Sequence, residues 1–301
     1  MEKETINMHE TDKAEKKLPK WVATALVTFV LGYGLHYLGY FIRARYYDLI
    51  PMLDLGPGMS HVFEYLGHLV ILSVYIIYGL VVKEDSRYVF DLFTKDRRQN
   101  LKYGLLGGLC GFVMMGICIL AAVLNGDLNI EKGTGIAIPL LLMALLAVIL
   151  QASTEEIESR SFVFGRMKGN GVPVNIALLV SSFFFAYLHA ANPGFGFLPL
   201  LSIFTVAILY ALSYHYFDNL SFACMTHTMW NFTQDFIFGL PDSGKPAAVS
   251  IFSSTVNGSG FFYDEVFGVE GSCMSILLNT ICVVLMLVIG KKLAARRKRN
   301  A

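Results

Sequence analysis

The stretch "STEEIESRSFVFGRM", residues 153–167, places Glu155, Glu156, Glu158 and Arg160 at the end of, or inside, an apolar run that begins near Gly135. Ionisable groups at membrane depth cost several kcal/mol each and persist where they have a task. On a helix, Glu156 and Arg160 lie four residues apart and share a face, so they can pair. Glu155 points about 100° away from Glu156 and is free to face something else. Glu158 has no partner that the sequence identifies. A second apolar run ends in "FAYLH", closing on His189, and a third carries "HTMWNFTQD", residues 227–235. There His227, Asn231 and either Gln234 or Asp235 recur at i, i+4 and i+7 or i+8, a single helix face. Such a face belongs against a bundle interior or a cavity. Its plainest use is interhelical hydrogen bonding, worth about 1 kcal/mol per pair. One carboxylate, two imidazoles and a carboxamide nevertheless make a hydrolytic set. Glu155 can take a proton from water, and His189 can hold or polarise that water. His227 and Asn231 can donate to a tetrahedral oxyanion. Transporters gather the same residue types for proton coupling, and Glu155, His189 and Asp235 would serve that purpose.

The elements that must position these groups are membrane helices. The chain has 301 residues, 55% hydrophobic and 16% charged, too apolar for a soluble globular protein. Eight segments, near 21–42, 62–82, 103–125, 135–158, 173–191, 198–216, 221–240 and 272–290, can each cross a hydrocarbon core, which takes about 20 helical residues. The expected fold is an all-α polytopic bundle of about eight transmembrane helices. It forms a single domain, with a polar N-terminus (1–20), core helices over 135–240 and a basic tail (291–301). The first span follows a polar stretch and has no small-residue cleavage site after it, so it reads as a span and not a cleaved signal. Gly104, Gly107, Gly108, Gly111 and Pro139 suit closely packed membrane helices.

With the N-terminus inside, the inner pieces 1–20, 83–102, 160–172, 217–220 and 291–301 hold 20 of the 24 Lys and Arg residues. Arg43, Arg45, Lys132 and Lys245 remain outside. The positive-inside rule then puts both termini in the cytoplasm of a multi-pass cell-membrane protein. The tail "KKLAARRKRN" is read as a contact to anionic lipid, not to nucleic acid. Segment 83–102 is expected as an interfacial helix, and the Gly- and Ser-rich stretch 241–271 as a mobile outer loop. The five cysteines show no metal or disulfide spacing and read as small hydrophobes. His36, Glu64, His68 and His215 are assigned to packing, capping or headgroup-level positions.

The fourth and fifth spans form a hairpin turning at "KGNGVP", residues 168–173, where Gly169 and Gly171 supply the break. Glu155 lies 17 residues before residue 172 and His189 17 after it. At about 1.5 Å per residue both sit about 25 Å from the turn, at one depth. The glutamates therefore belong to the protein body if the fourth helix continues through "SFVFGRM".

"EEIESR", "FAYLH" and "HTMWN" resemble, in order, the EExxxR, FxxxH and HxxxN motifs of the CPBP family. That family comprises the CAAX prenyl proteases of the Rce1 type and bacteriocin-processing or self-immunity proteins. The resemblance spans residues 155–231, on the fourth, fifth and seventh of the eight spans. It implies an intramembrane glutamate-type endopeptidase acting on a membrane-embedded or lipid-anchored peptide without a cofactor. By motif position Glu155 and His189 would activate water, His227 and Asn231 would line the oxyanion site, and Glu156 with Arg160 would be the structural pair. The other readings are a proton- or ion-coupled transporter and a catalytically silent immunity or scaffold member. A zinc site built from Glu155, His189 and His227 is a rival mechanism. No HExxH is present, and with Glu156 committed to Arg160 a liganding Glu155 would leave no clear base.

Overall fold

A computed structural model describes residues 18–133 and 135–300. Most of the polar N-terminal stretch expected over 1–20 lies outside the described residues. In hydrocarbon every backbone N–H and C=O must be paired within the segment, so the apolar runs become helices. In chain order these are α1 (Lys20–Leu49), α2 (Pro57–Leu66), α3 (His68–Val81), α4 (Ser86–Val89), α5 (Asp91–Thr94) and α6 (Arg97–Asn125). After strand β1 (Leu128–Lys132) comes α7 (Ile138–Glu156), which runs through a π-helical stretch (Ile157–Phe164) into α8 (Gly165–Gly169). Next are α9 (Val174–Leu188), α10 (Phe197–Phe217) and α11 (Ser221–Phe232), the last extended by a second π-helical turn (Thr233–Ile237). Strand β2 (Phe252–Val256) and α12 (Cys273–Asn300) complete the chain.

Among the described residues, six helical segments are long and apolar enough to cross a membrane: Lys20–Leu53, Pro57–Val81, Arg97–Asn125, Ile138–Gly169, Phe197–Phe217 and Cys273–Arg299. The other two expected spans are present but shorter. Helix α9 has 15 residues, and 221–237 is buried along nearly its whole length. The protein is a helical membrane bundle. Its outward faces carry Leu26, Val30, Phe41, Leu105 and Leu146, all more than half exposed, as lipid contact requires.

The closest helix crossing is α6 on α11. A Cβ at Gly107 would collide with the Phe222 carbonyl oxygen, and one at Gly111 with that of Thr226. Only a residue without a side chain permits this approach.

Two expectations change. Stretch 241–271 is a folded cap. β2 pairs antiparallel with β1, Leu128 opposite Val256, and Tyr263, Phe267 and Val269 have no exposed surface. Its few large apolar residues anchor the Gly- and Ser-rich chain. Segment 83–102 is not one surface helix either. It breaks at extended Lys95, and Tyr88 and Val89 are buried, with Val89 seated where Gly79 leaves room.

The threading gives the bundle two distinct ends. Residue 20, segments 82–96, 169–173 and 217–221, and the end of α12 lie at one. Segments 50–56, 126–137, 189–196 and 238–272 lie at the other.

Candidate active site

From Leu140 to Phe164 the chain has no Gly or Pro to stop it, and the fourth helix does continue past the glutamates. It widens there to a π-helix over Ile157–Phe164, with the Gly165 N–H donating to Arg160 O five residues back. Such turns shift the angular register of the residues beyond them and recur at functional sites. All eight residues of the stretch are buried.

Glu156 and Arg160 pair as their spacing predicts. Arg160 Nη1 is 3.1 Å from Glu156 Oε1, and both side chains are 0% exposed. No Arg160 nitrogen has an aligned hydrogen-bond acceptor among the described residues. Charge and ring faces hold the guanidinium instead, 4.1 Å above the Phe185 ring and 5.2 Å from that of Tyr210. Glu156 Oε1 has a further partner, His227 Nδ1 at 3.0 Å.

Glu155 faces the other way, into a cavity of about 190 Å³ also lined by His68, Gln151, Glu158, His189 and Asn231. Its Oε1 is 3.4 Å from His68 Nε2 and its Oε2 3.7 Å from His227 Nε2. His189, at the C-terminal cap of α9, donates Nδ1–H to Phe185 O at 3.0 Å, which turns Nε2 into the free acceptor. Asn231 Nδ2 donates to Gln151 Oε1 at 3.2 Å, keeping a second N–H. Glu155 Oε2, Glu158 Oε1 and Asn231 Oδ1 are buried with no hydrogen-bond partner among the described residues. Three of the four expected catalytic side chains thus share one cavity. The fourth, His227, sits behind Glu155 and borders a smaller cavity of about 20 Å³ that His189 also lines.

The sequence reading missed three members of this site. His68 is not a packing residue. Its Nδ1–H donates to Tyr65 O at 3.0 Å, so Nε2 accepts from Arg43 Nη1 at 2.8 Å beside Glu155. Arg43 is 7% exposed and is flanked by the rings of Tyr40 and Tyr47. His36 supplies the partner that Glu158 lacked, Nδ1 to Oε2 at 3.2 Å. One signal was present: His61, Tyr65 and His68 recur at i, i+4 and i+7. His215 does pack as expected, edge-on to Phe164.

Toward the cap, Asp235 is engaged through Oδ2, while its Oδ1 is buried with no hydrogen-bond partner among the described residues. His61 Nε2 and Tyr65 Oη each lie 2.7 Å from its Oδ2. Gln234 donates to Asp242, so both π-turn residues serve the fastening of the cap. Glu270, just before α12, accepts from Trp230 Nε1–H and the Ser243 hydroxyl. Burial and the Asp242 charge push its carboxyl up to about 7. Among the described residues no three His, Cys, Asp or Glu side chains are grouped to hold a metal ion.

Residues 137–233 match the model of the Rce1-like family, type II CAAX prenyl endopeptidases. Neither a curated protein nor a solved structure matches the chain. Glu155, Glu156, Arg160, His189, His227 and Asn231 all fall inside the matched stretch, and Arg43 and His68 outside it. The segment that builds this site is thus similar to the Rce1-like, CPBP-type family of CAAX endopeptidases.

Proposed function

We propose that the protein is a glutamate-type intramembrane endopeptidase that hydrolyses a peptide bond of a membrane-embedded or lipid-anchored substrate in the cell membrane. The observation that carries this reading is the Glu155 carboxylate. It is 14% exposed, with one oxygen that has no hydrogen-bond partner among the described residues, in a cavity shared with His189 and Asn231. Water held between Glu155 and the free Nε2 of His189 gives a proton to Glu155 and adds to the substrate carbonyl. On this reading the second Asn231 N–H donates to the resulting oxyanion, and His227, whose Nδ1–H is held by Glu156, donates through Nε2 in its protonated form. Glu155 then returns its proton to the leaving amine. Glu156 and Arg160 hold the helix and orient His227. The engagement of Asp235 by His61 and Tyr65 speaks against the ion-coupling reading, which needs that carboxylate free.

The direct test compares the membrane-bound peptides of cells carrying the wild-type protein with those carrying Glu155→Gln. A peptide shortened only by the wild type supports hydrolysis, and identical peptide sets would remove it. Asn231→Ala should lower the rate by about 10²–10³-fold, the usual scale for one oxyanion donor. An unchanged rate would take Asn231 out of the site.

The reading is also metal-free. The Arg43 cation occupies the acceptor nitrogen of His68, and His227 Nδ1 is spent on Glu156. Activity in detergent should therefore survive strong chelators. Loss on chelation, restored by zinc and not by calcium or magnesium, would make Glu155 a ligand.

A further inference from the structure

We infer that the active-site cavity is served from the membrane face opposite both termini, the extracytoplasmic face, and that the substrate is a polar peptide segment exposed there. This rests on the peptidase reading for the word substrate, and on geometry alone for the side.

The exposed residues that line the cavity lie in one half of the bundle. They are Tyr40 on α1, Glu64 on α2, Ala191 after α9 and Lys245 in the cap. The last three stand at or near the end that holds segments 50–56, 189–196 and 238–272, and Tyr40 lies in the half of α1 nearer that end. In the other direction the chain is solid. Tyr75, Phe162, Val163, Phe164, Met167 and Phe184 each have 0% exposure. They follow His68 and Glu158, or precede His189, on the side of the termini. A peptide arriving from that end would have to cross this close-packed layer, and interiors of this density do not pass a chain.

Charge tells which end is outside. Arg160 is sealed within the body and says nothing about sides. Of the other Lys and Arg side chains among the described residues, Arg43, Arg45, Lys132 and Lys245 belong to the half that bears the mouth, and the rest lie toward the opposite end. Juxtamembrane Lys and Arg are retained in the cytoplasm, so the mouth faces out.

The lining fits peptide better than lipid. Ile71, Phe185, Leu188 and Ala191 are its aliphatic and phenyl surface, set against carboxylates, imidazoles, carboxamides, Arg43 and Lys245. An isoprenoid chain placed there would desolvate charged groups and satisfy none of them. A peptide backbone brings the N–H donors that Glu155 Oε2, Glu158 Oε1 and Asn231 Oδ1 lack.

The test uses single surface cysteines in the full chain. Lys245→Cys, at the mouth, and Lys292→Cys, at the other end, are both exposed positions. Each is read against the background of the protein's own five thiols. A membrane-impermeant maleimide should label Lys245→Cys in intact cells and Lys292→Cys only after permeabilisation. In the same cells, cut sites that depend on Glu155 should map to extracytoplasmic segments. Labelling of Lys245→Cys only after permeabilisation, or cut sites in cytoplasmic tails, would overturn the inference. Outward labelling with no Glu155-dependent cut would keep the cavity's orientation and remove the peptidase reading and its substrate.

Discussion

Glu155→Gln should lower turnover by about 10⁴-fold, the upper end of what a positioned base contributes, while thermal unfolding in detergent stays near that of the wild type. Glutamine keeps the volume and one acceptor oxygen of the side chain but cannot take a proton from water. Little packing changes, because the carboxylate borders a cavity and makes no contact with His68 or His227 closer than 3.4 Å. A Gln variant retaining a rate within about tenfold of the wild type would show that another group is the base. Glu158 would be the first to examine, since it lines the same cavity with one oxygen unpaired.

The neighbouring substitution should fail in another way. Glu156→Gln leaves Arg160 fully buried without its counter-charge, a defect that costs about 3–5 kcal/mol. The glutamine oxygen still accepts from His227 Nδ1, so the loss falls mainly on the ion pair. Thermal unfolding of the purified variant should drop accordingly. Removing both charges, as in Glu156→Gln with Arg160→Met, should recover part of the loss, because no buried charge is then left alone. If Glu155→Gln unfolds the protein while Glu156→Gln only silences it, the two roles are exchanged.

The features legible in the sequence were local. The Glu156–Arg160 pair depends on a four-residue spacing within one helix, and the close crossing at Gly107 and Gly111 on a run of glycines. The hairpin brought Glu155 and His189 to one cavity because two straight helices and a short turn fix relative depth. Those that escaped depended on distant partners. His68 and Arg43 reach Glu155 from helices about ninety to more than a hundred residues away, and nothing in their own neighbourhoods points to it. The side of the helix that Glu158 faces was hidden for a different reason. A constant 100° per residue fails where the ladder changes from i−4 to i−5, as it does over Ile157–Phe164. The cap over 241–271 was misread because composition reports the many Gly and Ser residues and not the few buried aromatics that pin them.

Tyr65 has a consequence for the proton inventory of the cavity mouth. Its hydroxyl lies 2.7 Å from Asp235 Oδ2 and 2.7 Å from Asp242 Oδ2. A phenol owns one hydrogen, so it donates fully to only one carboxyl group at a time, and a carboxyl proton completes the second bond. Burial, then the charge of Asp235, raises the Asp242 carboxyl above its ordinary value, in keeping with a trapped proton there. A carboxyl raised in the folded state adds stability fully present below its unfolded value, near 3.9, and lost as pH climbs through the raised one. A proton on Asp242 therefore joins the cap to the bundle through Tyr65. Acid tightens that joint, and alkali sets two anions against each other across one hydroxyl.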